Sequence, residues 1–408
     1  GVPLTPVAAV APTIIMTLAI ADSIHILVSM LNHLRTGANK NDAIIETLRL
    51  NFIPVTLTSL TTMIGFLTLN FSDAPPYWHL GNITAMGIVA AWLLSLIMLP
   101  ALLAVLPIKV TASKQNFRDS DFLEKIADWV ILKRHPILLC GALLTLALTA
   151  MAPTIVLNDE FIKYFDEDIQ FRKDADFTAA NLSGVYLVEY SMGAGAPSGI
   201  HEYEYLTGLE NYTQWLREQD EVKHVYSYTD IIKRLNRNLH GEDPAAYALP
   251  KDVEEAAQYL LLYEFSLPYG MDLTNRVSMD KSKTRLTIVV DNISSVQMQA
   301  FNQRAKQWMQ DNLPAAMQAK PTGTAVMFSY ISKRNIESMM VGNIIAIVVI
   351  SFIMLLVLRN IKLGFISLLA NSLPIIMMFG VWALLVGQVG MVASTVAAGT
   401  LGIVVDDT

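Results

Sequence analysis

Three aspartates lie inside stretches of the sequence that are otherwise apolar: Asp22, Asp406 and Asp407. A charged side chain at the centre of a bilayer costs at least about 2.5 kcal/mol on insertion scales, and such residues usually belong to ion or proton pathways. A carboxylate that takes up a proton loses its charge, so its protonation state can control how neighbouring helices pack. We therefore predict that these aspartates form a proton relay whose protonation lets two groups of helices shift.

The segments that carry the aspartates resemble each other, since TLAIADS at 17–23 is similar to TLGIVVDDT at 400–408. Repeated membrane units with polar sites at corresponding depths are typical of transporters. Adjacent residues of a helix point about 100° apart, so we expect Asp407 to face Asp22 and Asp406 to take a supporting position. The repeat also places a hydroxyl residue after each aspartate, Ser23 in the first segment and Thr408 in the second.

His25 follows Asp22 by three residues, which places both on one side of a helix. Because histidine changes its charge near neutral pH, it is a candidate for passing on the proton. A histidine packed and hydrogen-bonded between helices is the alternative. Five hydroxyl residues of the next apolar stretch are candidates for hydrogen bonds to the relay, although Ser and Thr also join helices to each other: Thr56, Thr58, Ser59, Thr61 and Thr62.

The apolar stretches around these residues are long enough to span a membrane. Hydrophobic residues make up 53% of the 408 residues and charged residues only 16%, against about 25% charged residues in soluble domains. A helix needs about 20 mostly apolar residues to cross a bilayer. We predict seven spans, at 7–30, 52–72, 82–106, 136–156, 339–358, 363–386 and 390–407. The last one is short, and we expect the chain to be a piece of a longer protein.

Positive charge in the short loops predicts the orientation of the spans. Every second short loop carries Lys and Arg residues, whereas the short loops between them carry none. Loops rich in Lys and Arg face the cytoplasm. The residues are Arg35, Lys40, Arg49, Lys109, Lys114, Arg118, Lys125, Lys133, Arg134, Arg359 and Lys362. The domain order is then spans in 1–106, a cytoplasmic linker at 107–135, a span at 136–156, an extracytoplasmic block at 157–338, and spans in 339–408. Residues 122–133 have helical apolar spacing, which predicts an interfacial helix or a linker helix without membrane contact.

The polar block at 157–338 has the pattern of an α+β domain. We predict strands at 184–192, 222–228, 285–291 and 322–330, helices at 202–218 and 296–312, and a helix at 251–265 within an insertion at 230–283. This repeated β-α-β order is that of a ferredoxin-like domain.

The sequence has few features of other functional classes. His201, His224 and His240 do not have metal-ligand spacing, and no nucleophile or phosphate-loop motif is present. The single cysteine, Cys140, offers neither a disulfide framework nor a cysteine metal site. The net charge of −7 without a basic stripe argues against nucleic acid. We therefore expect no enzymatic activity, no metal site, no cofactor other than a proton gradient, and no nucleic-acid partner.

At this point the motifs resemble those of a known superfamily. The segments IADSIH at 20–25 and GIVVDDT at 402–408 resemble the fourth and tenth transmembrane helices of resistance–nodulation–division (RND) transporters, and TSLTTMIGFL at 58–67 resembles the fifth. The resemblance covers the whole chain, as helices four to seven, the second porter domain and helices eight to ten. Its motifs are most similar to the branch of MmpL-like and hopanoid-type lipid exporters.

The resemblance implies an α-helical polytopic membrane protein of the bacterial inner membrane, with an α+β ferredoxin-like porter domain in the periplasm. It also implies a longer protein with twelve helices, which exports a hydrophobic or lipid-like substrate in exchange for protons. The implied relay comprises Asp22, Asp406, Asp407, Ser23, His25 and Thr408. Several MmpL-like members have a tyrosine after the aspartate, where Ser23 and Thr408 stand here.

Two other functions remain alternatives: a lipid- or sterol-sensing receptor on the same fold, and a drug or metal efflux pump. The partners that we expect are membrane lipid, the substrate, and either a second copy of the chain or a periplasmic accessory protein.

Overall fold

The computed structural model describes residues 5–108, 120–268 and 270–406. The chain divides into two compact units. The membrane unit comprises Gly1–Leu157 and Arg334–Thr408, and the soluble unit comprises Asn158–Lys333. Helices and strands are numbered below in chain order.

The first part of the membrane unit is helical. Its helices are α1 (Ala11–Arg35), α2 (Lys40–Leu67), α3 (Pro75–Leu93), α4 (Leu99–Val105), α5 (Ser120–Leu132) and α6 (Arg134–Met151), followed by the short strand β1 (Val156–Leu157). Helix α5 confirms the helix predicted at 122–133. Its position at a membrane surface stays a prediction.

The soluble unit contains a three-stranded antiparallel sheet in the order β2-β4-β3. Its elements are α7 (Gln170–Asn181), β2 (Tyr186–Gly193), α8 (Tyr203–Arg217), β3 (Val222–Tyr226), α9 (Tyr228–Leu239), α10 (Val253–Ser266), β4 (Lys283–Val290) and α11 (Ser295–Asn312). Three of the four predicted strands and all three predicted helices are therefore confirmed, and so is the α+β class.

One side of this sheet packs against α8 and α11. Alternate residues of β2, Val188, Tyr190 and Met192, are fully buried, as expected for a strand with one face on the core. The rings of Tyr212 and Trp215 on α8 stack on Trp308 of α11, with centroid distances of 5.2 and 5.7 Å to that ring. Apolar packing and stacked aromatic rings thus hold the two helices on the sheet.

The strand predicted at 322–330 is wrong, because these residues form the beginning of helix α12 (Thr324–Leu358). Pairing at this edge is limited to one bridge between Thr322 and Glu189 of β2. Gly323 follows with φ of +125°, and a Cβ there would lie 2.5 Å from the Leu187 carbonyl oxygen. Ala325 and Val326, in the first turn of this helix, are buried in the core of the soluble unit. The ferredoxin-like fourth strand is thus replaced by a tight turn and a helix.

The second part of the membrane unit continues from α12 with α13 (Ile361–Leu385), β5 (Gln388–Val389) and α14 (Met391–Asp406). Strands β1 and β5 pair in parallel. Within the described part of the chain, six segments are long and apolar enough to cross a membrane: Ala8–Arg35, Lys40–Phe71, Pro75–Val105, Arg134–Thr154, Thr324–Leu358 and Ile361–Leu385. They correspond to the first six predicted spans, so the chain is a multi-pass helical membrane protein. The seventh coincides with α14, of which 16 residues are described.

Helices α1, α2 and α3 pack against one another and form the part of the membrane unit that carries the first aspartate. Phe66 of α2 and Ile88 of α3 lie in one buried cluster with Ala11 of α1. A second cluster joins Ile26 of α1 to Val55 of α2. Helix α14 packs against α2 and α13.

Candidate functional site

Asp22 lies on the packed side of α1. The buried residues of this helix beyond its first turn are Asp22, Ile26 and Met30, at a spacing of four residues. Only 7% of the surface of Asp22 is exposed, and it is therefore shielded by protein rather than directed away from the helix bundle. A buried carboxylate needs hydrogen-bond donors around it.

Ser59 of α2 provides such a donor. Its Oγ donates to Oδ2 of Asp22 at 3.3 Å, across the interface between the two helices. An ionised carboxylate only accepts hydrogen bonds, whereas a protonated one can also donate. The contact between α1 and α2 is therefore sensitive to the protonation state of Asp22.

A small cavity of about 10 Å³ lies beside this contact. Its lining includes Leu18 on α1, Thr58 and Thr62 on α2, and Ile88 and Ala91 on α3, together with Asp22 and Ser59. This volume is about that of a single water probe. Apart from Asp22, the described lining is thus apolar or carries hydroxyl groups, and it includes no Lys, Arg or His.

The other hydroxyl candidates of α2 bond within the protein in different ways. Thr61 and Thr62 each donate to the Thr58 carbonyl oxygen, at 3.0 and 2.7 Å. Thr56 Oγ1 accepts from Nε1 of Trp92 on α3, at 3.0 Å. Ser59 therefore differs from Thr61, which bonds to its own helix, and from Thr56, which joins α2 to α3.

Ser23 and His25, the two predicted relay residues next to Asp22, have different surroundings. Ser23 Oγ donates to the carbonyl oxygen of Ala19 at 2.7 Å, as a serine inside a helix commonly does. His25 is exposed on α1, because the buried side of the helix continues at Ile26, four residues after Asp22. A relay role for either residue stays a prediction.

The second predicted half of the relay falls at the end of the described chain. Asp406 is the last described residue of α14, and its side chain is not among those described, while Asp407 and Thr408 lie outside the described residues. Helix α14 packs against α2, the helix that carries Ser59. Gly399 of α14 lies next to Phe66, because a Cβ at this glycine would be 3.4 Å from Cζ of that ring. The pairing of Asp407 with Asp22 stays a prediction.

A second candidate site lies in the soluble unit, where the sequence analysis did not predict one. It is a cavity of about 610 Å³, within the range of about 300–1,000 Å³ for small-molecule pockets. Its walls come from the start of the unit, α7, the start of β2, the region before α11 and the start of α12. The aromatic run of Phe161, Tyr164, Phe165 and Phe171 is the sequence signal that could have indicated it.

Aromatic rings cluster at this cavity. Phe161 lies 5.4 Å from Phe328 and 5.9 Å from Phe165, and Phe165 lies 4.9 Å from Phe171, between ring centroids. These edge-to-face arrangements are favourable for aromatic pairs. Three of these rings, those of Phe161, Phe171 and Phe328, line the cavity itself.

One lining residue of the cavity, Asp159, is a buried carboxylate. Asp159 is 4% exposed, and its Oδ2 accepts from Tyr164 Oη at 2.7 Å and Ser332 Oγ at 2.6 Å. Burial raises the pKa of the Tyr186 hydroxyl, so this lining residue remains protonated and uncharged at neutral pH. Among the residues that the structure describes, no group of three or more His, Cys, Asp or Glu side chains is placed to hold a metal ion.

The sequence matches the model of the MMPL family over residues 5–131 and 215–405, which is most of the chain. No curated protein matches it. Solved structures to which it is similar include SecDF, a translocon-associated membrane protein from Thermus thermophilus, at 16% identity and a TM-score of 0.41, over 99% of this chain and 43% of that chain. Another is SecDF in the super-membrane-facing form, at 12% identity and a TM-score of 0.44, over 98% and 43%. The chain thus spans less than half of the length of either protein.

Proposed function

Because the chain belongs to the MMPL family of membrane transporters, we propose that it takes part in the export of a hydrophobic or lipid-like substrate driven by a proton gradient. In this proposal Asp22 binds and releases the transported proton. The soluble unit lies outside the cytoplasm and handles the substrate. The distribution of Lys and Arg among the short loops supports this orientation.

The observation that carries the proposal is the contact between Asp22 and Ser59 in the α1–α3 bundle. An acidic side chain that is 7% exposed, between helices of span length, is costly to keep and is usually functional. Its hydrogen-bond donor comes from a neighbouring helix at 3.3 Å, so a change in its charge acts on the packing of two helices at once.

The proposed mechanism alternates between two states of Asp22. In the ionised state the carboxylate accepts from Ser59, and this bond favours close packing of α1 on α2. Protonation neutralises the carboxylate, which weakens that preference because hydrogen bonds to charged groups are stronger than those between neutral groups. The second half of the relay is proposed to consist of Asp406, the last described residue of α14, and Asp407, which follows it in the sequence. Helix α14 packs on α2 and would respond to the same movement.

The test is proton flux in liposomes that contain the full-length protein, under a pH gradient and with candidate lipids supplied. We expect Asp22→Asn to abolish flux, since the amide cannot take up or release the proton. Asp42→Asn is the matched control, because Asp42 is an exposed carboxylate at the start of α2. Its flux should equal that of the wild type.

Each other outcome has a defined meaning. Normal flux in both Asp22→Asn and Asp407→Asn would exclude the proposed relay. Absence of flux in the wild type, with lipids supplied, would favour a lipid-sensing receptor on the same fold.

A further inference from the structure

We propose that the 610 Å³ cavity of the soluble unit binds the apolar part of an amphiphile whose head group is neutral or positively charged. This inference deepens the proposed function, because it names the charge class of the substrate. That the bound molecule is transported depends on the export proposal, whereas its binding to the cavity does not. Binding itself can be measured without any proton gradient.

The walls of the cavity fit the apolar part of such a molecule. Phe161, Phe171 and Phe328 present aromatic rings to it, and Met298 and Met327 add flexible apolar side chains. Aromatic rings contribute large apolar surfaces, and methionine adapts to irregular ligand shapes. Phe161, Phe171 and Met327 are 41%, 49% and 58% exposed. A bound apolar molecule would cover this surface.

The charges of the lining select against an anionic head group. Asp159 and Asp174 are both lining residues, and the described lining includes no Lys, Arg or His. Asp159 is buried, whereas Asp174 is exposed on α7. A carboxylate or phosphate head group would therefore meet like charge. An ammonium group would meet opposite charge near Asp174, and a hydroxyl group would meet acceptors.

Three hydroxyl groups of the lining donate to backbone carbonyl oxygens of the protein. Ser295 Oγ donates to the Asp159 carbonyl oxygen at 2.9 Å, Ser329 Oγ to that of Val326 at 2.8 Å, and Thr178 Oγ1 to that of Asp174 at 2.7 Å. These hydrogen atoms are thus already used within the protein.

Two basic residues lie on α7 near the cavity, and both have acidic partners within the protein: Lys173 Nζ lies 3.9 Å from Asp168 Oδ1. Arg172 follows the lining residue Phe171, but its Nε lies 2.6 Å from Asp176 Oδ2. Its Nη1 donates to the Phe165 carbonyl oxygen at 3.3 Å. An anionic head group would have to compete with both partners for this guanidinium group.

Photo-crosslinking with matched probes tests the inference. The full chain in lipid nanodiscs is exposed to alkyl probes that carry the same diazirine-labelled chain and differ only in the head group: trimethylammonium, a neutral polyol, or carboxylate. Crosslinked peptides are identified by mass spectrometry. We expect the ammonium and neutral probes to label peptides containing Phe161, Phe171 or Phe328 about tenfold more than the carboxylate probe, at equal probe content of the lipid.

Two pairs of variants separate the roles of the walls and of the charge. Phe171→Ala should reduce labelling by all probes several-fold, whereas Phe177→Ala, on the same helix with 60% exposure and outside the lining, should not. Asp174→Asn should reduce the preference for ammonium over carboxylate several-fold. Asp220→Asn, at an exposed carboxylate after α8 and outside the lining, should preserve that preference.

The inference fails if the carboxylate probe labels the cavity as strongly as the ammonium probe, or if labelling avoids the cavity peptides. It also fails if Phe171→Ala and Phe177→Ala behave alike. Because no gradient is applied, Asp22→Asn should label like the wild type. Correct labelling together with absent proton flux would therefore overturn the export proposal and leave the cavity assignment intact.

Discussion

Replacing Lys233 by methionine is expected to destabilise the soluble unit where α8 meets α9. Nζ of Lys233 lies 2.6 Å from Oε1 of Glu210 and 3.4 Å from Oδ1 of Asp230, and only 8% of the lysine side chain is exposed. The same Nζ lies 5.1 Å from the centre of the Tyr247 ring in the insertion. Methionine retains the apolar part of the side chain but leaves Glu210, which is 16% exposed, without this cation.

The expected magnitude follows from the burial of the pair. Removing one partner of a fully buried ion pair costs about 3–5 kcal/mol. Because both side chains retain some exposure, we expect Lys233→Met to cost about 2–3 kcal/mol, at or just below that range. If α8 and α9 open together, their amide hydrogens should exchange about 30- to 150-fold faster. Peptide-resolved hydrogen–deuterium exchange of the protein in nanodiscs measures this directly.

Two further variants make the prediction specific. Lys223→Met removes a pair with Asp291 at 2.8 Å whose lysine is 41% exposed, and such surface pairs contribute only about 0–1 kcal/mol. Adding Glu210→Gln to Lys233→Met should recover part of the lost stability, because it removes the unpaired charge. Equal acceleration of exchange by Lys233→Met and Lys223→Met would refute the reasoning.

Three other predictions concern pH, the membrane site and the turn before α12. Burial raises the pKa of the Glu210 carboxyl, but hydrogen bonds from Lys233, Thr229 and Gln214 outweigh this effect and hold the pKa below its usual range. The folded state then binds fewer protons than the unfolded chain, so the stabilisation from Glu210 is complete above about pH 4.5 and is lost as the pH falls through the folded pKa. Hydrogen exchange of α8 measured across this pH range should show the loss of stability, and Glu210→Gln should remove this pH dependence. Ser59→Ala should lower proton flux in liposomes several-fold, whereas Thr61→Val, which replaces a buried hydroxyl bonded to its own helix, should retain it. Gly323→Ala should destabilise the soluble unit by more than about 1 kcal/mol, seen as faster exchange in β2, because φ is +125° and the Leu187 carbonyl oxygen lies in the way.

The spans and most elements of the soluble unit could be predicted because their signals are local. The length of an apolar stretch and the alternation of Val188, Tyr190 and Met192 are visible in the sequence itself. The error at 322–330 arose because a short apolar run fits a strand or a helix equally well. Its outcome was decided by the turn at Gly323 and by the continuation of the helix to Leu358.

The details of the two sites depend on contacts that a sequence pattern does not contain. Five hydroxyl residues of α2 were equivalent candidates, and only the rotation of α2 relative to α1 places Ser59, rather than Thr61, on Asp22. The cavity of the soluble unit is formed by segments as distant in sequence as Phe161 and Phe328, so no single stretch predicts it.

The stacked rings on α8 and α11 give the soluble unit an optical property of its own. Trp215 and Trp308 lie 5.7 Å apart with an angle of 24° between their planes. Two indole groups held in a fixed stacked arrangement should contribute a distinct circular dichroism signal. Any substrate-dependent movement that separates α8 from α11 would therefore change the spectrum of the unlabelled protein.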